Sequence, residues 1–79
     1  MSAEWVPSYG TKAAVTYWAR RTRASLRYAE RAAKRGDYVT ADLHAAGAAD
    51  EACEFDTAVR ELAHVRETRL VPAHEWNRP

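Results

Sequence analysis

From Val15 to Ala32, small and apolar residues return at alternating steps of three and four: Val15, Trp18, Thr22, Ser25, Ala29, Ala32. That spacing marks one face of a helix. Leu26 and Ala33 widen the face, and nothing between Lys12 and Arg35 interrupts it. A second stretch is more regular. Ala41, Ala45, Ala48, Ala52, Phe55, Val59, Leu62 and Arg66 step by four and three without a break, which predicts a coiled-coil seam. The two patterns together predict an all-α chain with helices at about 11–35 and 38–70.

The residues between and around these segments fit that reading. Thr11 suits an N-cap, because its hydroxyl can accept an N–H at the helix start. Gly36 adopts the left-handed conformation past a helix end without steric cost. Asp37 can then cap the next helix and sit well in its N-terminal dipole. Pro72 disfavours helical conformation at Val71 and closes the second helix. Residues 1–10 contain Pro7 and Gly10 and show no period, so an extended arm is expected. Residues 71–79 form a short tail. Gly47 weakens the second helix by about 1 kcal/mol relative to Ala.

So short a turn makes the helices antiparallel neighbours in a single hairpin domain spanning 1–79. The turn also sets the register. Ala33 falls near Ala41, Ala29 near Ala45, Thr22 near Ala52, Trp18 near Phe55, and Val15 near Val59. Small faces small beside the turn, and large faces large at the open end. Over about twenty residues, Ala29, Gly36, Asp37, Tyr38, Ala41 and Ala48 also match a pattern. That segment resembles the turn of a single tetratricopeptide repeat. The helices here are far longer and there is no second copy, so the resemblance implies shared turn chemistry only.

Length adds a constraint. A chain of 79 residues lies near the size below which a core seldom supplies more than about 3–5 kcal/mol without a staple. Cys53 is the only cysteine, so no intrachain disulfide can form. Self-association into a four-helix bundle is the expected source of the missing burial. The first residues lack the basic and apolar stretches of a secretion signal. No run approaches the ~20 apolar residues of a membrane span. A cytoplasmic protein with no membrane partner is expected. Arg outnumbers Lys ten to two and Ala is abundant, the bias of a GC-rich bacterial or phage genome.

The chain's chemistry points away from catalysis. His44, His64 and His74 are not at ligand spacing with one another or with Cys53. Cys53 and His64 share a helix face but lie roughly 16 Å apart along its axis, whereas zinc ligands converge to about 2 Å. No cofactor, no metal and no enzymatic activity are expected.

Three surfaces remain. Charge is divided between the halves: eight basic residues against Glu30 from Thr11 to Gly36, and eight acidic against Arg60 and Arg66 from Asp37 to Glu67. Opposite the first seam, Lys12, Arg20, Arg23, Arg27, Arg31 and Lys34 form a basic stripe flanked by Tyr17 and Tyr28, with Arg21 beside them. Such a stripe is either a solvated face or a phosphate-binding surface. Next, Ala46, Gly47 and Ala49 smooth the second helix beyond its seam and invite a further helix. Finally, Trp5, Tyr9 and Trp76 fall at the open end with Trp18 and Phe55. They form either a local mini-core or a partner-binding patch, since Trp, Tyr and Arg dominate interface energetics. The expected role is a small interaction or assembly protein that pairs with itself and with another protein. Nucleic-acid binding through the basic stripe is the alternative.

Overall fold

A computed structural model describes the backbone of residues 6–70 and the side chains of residues 6–65. It contains two helices, α1 (Lys12–Lys34) and α2 (Tyr38–Leu70), packed side by side as an antiparallel hairpin. Among the described residues there is no strand. Trp5, His74, Trp76 and the rest of the C-terminal tail lie outside the described residues, as does the side chain of Arg66. Among the described residues, no helix is long and apolar enough to cross a membrane.

The helix boundaries follow from capping. Thr11 is extended, and its hydroxyl accepts the Ala14 N–H at 3.2 Å. At the other end, Gly36 takes a φ of +79°. Its N–H donates to the Ala33 carbonyl and the Asp37 N–H donates to the Ala32 carbonyl, both at 2.9 Å. This nested pair satisfies carbonyls that the end of α1 would otherwise leave unpaired. The Asp37 carboxylate accepts the Thr40 N–H at 3.2 Å and starts α2. Its pKa is held below the ordinary 3.8, chiefly by the Thr40 hydroxyl and then by the Thr40 N–H, with the Arg35 charge adding to both.

The register agrees with the turn. Tyr28 meets His44, and Arg21 meets Glu51, each pair symmetric about Gly36. Val15 and Val59 line one hollow at the open end. The interior is made of small residues. Among the described residues of the two helices, the fully buried apolar ones are Ala14, Ala32, Ala48 and Ala58, and no bulky side chain is fully buried.

Three expectations are corrected. The seam of α2 does not follow the most regular apolar stripe. Ala41, Ala48, Phe55 and Leu62 do face α1, but their alternate partners are His44, Glu51, Ala58 and Val65, which are at least partly buried. Ala45, Ala52 and Val59 are exposed instead. The helix is rotated so that half of its apolar stripe enters the seam and half lies along one flank. Leu26 likewise does not widen the buried face of α1; it is 53 % exposed. The arm also departs from a simple extended form. It turns at Tyr9-Gly10, with Gly10 at a φ of +87°. The Thr11 hydroxyl donates to the Ser8 carbonyl at 2.7 Å, Pro7 is buried, and a Cβ built on Gly10 would lie 3.4 Å from Val65. The arm therefore packs against the hairpin.

Candidate functional site

The hairpin has two unlike flanks. The first is polar and aromatic, and it ties α1 to α2. Near the turn, the Tyr28 and His44 rings stack at 5.2 Å with an interplanar angle of 27°. The Arg31 guanidinium lies 5.9 Å from the Tyr28 ring centroid, within cation–π range. Farther along, Glu51 is the shared acceptor: the Ser25 hydroxyl donates to one carboxylate oxygen and Arg21 Nε to the other, the latter at 3.1 Å. The Glu51 side chain is 14 % exposed, so this charge is largely withdrawn from water and needs those donors. Toward the open end, the Tyr9 hydroxyl donates to Glu54 and fastens the arm to α2. Tyr17 meets Trp18 edge to face at 4.9 Å and lies 6.0 Å from the Arg21 guanidinium. The buried Trp18 indole N–H has no hydrogen-bond partner among the described residues.

The second flank is apolar. Helical spacing places Val15, Leu26 and Ala33 on it from α1, with Ala45, Ala52 and Val59 from α2. The hollow between Val15, Val59, Leu62 and Ala63 opens on this side. Thr22 interrupts the apolar run of α1, but its hydroxyl donates to the Trp18 carbonyl at 2.7 Å. Its donor is thus satisfied within the helix.

A third surface lies on the outside of α2 beside the turn. Val39 is 77 % and Leu43 69 % exposed. Steps of four and three align them with Ala46, next to Gly47. A Cβ built on Gly47 meets nothing within 4 Å, so no contact within the hairpin requires a glycine there. Ala46 and Ala49 are exposed and Gly47 is half-buried. The small-residue patch therefore continues into two bulky, exposed side chains that its own spacing did not single out.

The basic stripe lies on the outer face of α1. Lys12, Arg20, Arg23, Arg27, Arg31 and Lys34 are all exposed, and none forms an ion pair among the described residues. Tyr17 and Tyr28 do not simply flank this stripe; they turn toward the polar flank. Beside Arg20, a shallow hollow of about 570 Å³ is lined by Pro7, Ala13, Tyr17 and Ala24. Of the terminal aromatics, only Tyr9 lies within the described residues, and its hydroxyl is engaged by Glu54. Cys53 is exposed. Among the described residues, no three His, Cys, Asp or Glu side chains gather as a metal site would require.

Comparison of the chain with protein-family models, with curated proteins and with solved structures found no match.

Periodicity located the basic stripe and the small-residue patch. It missed the Glu51 cluster, because a carboxylate at a seam position looks like a surface residue until its donors are known. The signal available was Ser25 and Arg21 at the matching register, one turn apart on the facing helix.

Proposed function

We propose that this chain is a small non-enzymatic interaction or assembly protein that acts through its helix faces. One observation carries the reading. Among the described residues of the two helices, the fully buried apolar ones are alanines, while Leu26, Val39, Leu43, Val59 and Tyr38 are exposed. A hairpin that leaves these five bulky side chains largely in water has burial still to gain from association. The reading includes a homodimer packed as a four-helix bundle and a second protein bound at another surface. The patch of Val39, Leu43, Ala46 and Gly47 suits a partner helix, whose backbone can approach closely at the small residues while Val39 and Leu43 supply apolar contact. The role is that of a cytoplasmic accessory subunit or a phage-encoded modulator of a host protein. Trp5 and Trp76 are further candidates for contact.

The test compares proteins captured from the host by the wild-type chain and by Val39→Glu/Leu43→Glu. Both substitutions are at exposed sites, so helicity and thermal stability should change little. A protein retained by the wild type and lost from the variant supports the reading. Identical capture by both refutes the patch.

The uncompensated cations of α1 favour a second reading, in which the outer face of α1 binds nucleic acid. Six phosphate contacts would give a log–log salt slope near −5, from about 0.9 per phosphate on duplex DNA. A gel shift with generic duplex at several salt concentrations measures it. A slope near zero, or no shift at low salt, removes this reading.

A further inference from the structure

From the two unlike flanks we infer that a second copy of this chain covers the apolar flank, with α1 of each copy lying over α2 of the other. The inference rests on the interaction reading above and specifies the face and the partner.

The polar flank is already occupied. Its side chains bond across the hairpin, through Ser25 and Arg21 to Glu51 and through the Tyr28–His44 stack. The opposite flank has no such cross-links among Val15, Leu26, Ala45, Ala52 and Val59, which are apolar. The one hydroxyl within it, that of Thr22, donates to its own helix and loses no partner when covered.

The area is sufficient. Over the 23 residues of α1 the flank is about 35 Å long. Two adjacent helices make it roughly 18 Å wide. The footprint is then about 600 Å², close to the ~800 Å² of accessible surface that each partner buries in a standard interface. The shape is also suitable. Leu26 projects from α1, while Ala45 and Ala52 leave a depression on α2 at a similar distance from the turn. Stacking α1 over the partner's α2 seats each leucine between the other's alanines.

Charge identifies the occupant and its orientation. Within the hairpin segments, α1 is strongly basic and α2 strongly acidic. Another copy supplies an acidic helix for each basic one. Stacking like over like would oppose two basic helices and two acidic ones. A two-fold axis parallel to the helices satisfies the charge pattern. It also brings both Gly36 turns to the same end of the bundle.

Sedimentation equilibrium and pyrene fluorescence on the full chain test this. The wild type should sediment as a dimer at tens of micromolar. Leu26→Lys and Ala52→Lys should each raise the dimer dissociation constant at least tenfold. Thr57→Lys, at an exposed position on the outer face of α2, should leave it within about twofold. A dimer that survives both flank substitutions overturns the proposed face while leaving self-association standing. A wild-type monomer of full helicity overturns the second copy, and the Val39/Leu43 capture experiment then decides the broader reading separately. Tyr38 is 71 % exposed, so labelling Tyr38→Cys in a Cys53→Ala background should not disturb folding. Pyrene excimer emission that rises with dimer formation supports adjacent turns. A dimer without excimer emission overturns the orientation.

Discussion

Replacing Gly47 by alanine should stabilise the hairpin. Gly47 lies inside α2, away from both ends of the helix. It is not among the glycines with positive φ, which are Gly10 and Gly36, so alanine meets no backbone penalty there. The added methyl group would have no neighbour within 4 Å, so it causes no overlap and gains no contact. What remains is the conformational restriction of the unfolded chain and the better helix propensity of alanine, together about 0.5–1 kcal/mol. For a domain of this size, 1 kcal/mol moves Tm by about 4–8 °C, so a rise of roughly 2–8 °C is expected. Circular dichroism at 222 nm would follow thermal and urea unfolding, with wild type and variant at equal protein concentration because association also shifts Tm. A lowered Tm would refute the reasoning, since it would require a clash at a position that is open in the hairpin. The same variant also probes the outer patch. A bulkier residue beside Leu43 and Ala46 should weaken capture of a partner helix even as it stabilises the fold, a split that a purely intrachain role for Gly47 does not produce.

Glu51→Ala should destabilise the hairpin by about 1–2 kcal/mol, because the half-buried Ser25 hydroxyl loses a charged acceptor, while the more exposed Arg21 returns to water at little cost. Glu51→Leu should cost less, since an apolar side chain packs at a seam position. Urea midpoints of the two variants check both, and equal losses would refute the packing argument. Asp37 makes stability sensitive to acid. Its folded pKa lies below the unfolded value near 3.8, so its contribution is present above that value and disappears as pH falls through the lower folded pKa. Asp37→Asn should flatten that part of the acid limb below about pH 4 in urea titrations; an unchanged slope would show that the Thr40 contacts do not hold the charge.

The helix boundaries at the turn and the reversal itself were legible because each depends on local chemistry. Thr11, Gly36 and Asp37 act on backbone groups within three residues of themselves, and a short turn leaves little choice of pairing. The seam of α2 was harder to read because it is set across the hairpin. An apolar count favours Ala45, Ala52 and Val59 over His44, Glu51 and Ala58. The structure prefers the latter because Tyr28 stacks on His44, and Ser25 and Arg21 bond to Glu51. Alanine contributes little to this choice, since turning Ala45 or Ala52 into water loses only a methyl group's burial. The basic stripe was legible throughout, because six cations opposite a seam have nowhere to go but outward. Val39 and Leu43 escaped notice because only the three-dimensional arrangement leaves them uncovered.

The difference between the two flanks also bears on stoichiometry. A rod that was adhesive on both broad sides could add layers without limit, as in a filament. Of its two broad sides, this one is apolar on one and spends the other on internal ties, so the proposed pairing through the apolar side would consume the surface that would recruit a third copy. Under the proposed pairing, growth would terminate at two chains, and the exposed ridge of Val39 and Leu43 would stay available, once per chain, to something of a different kind.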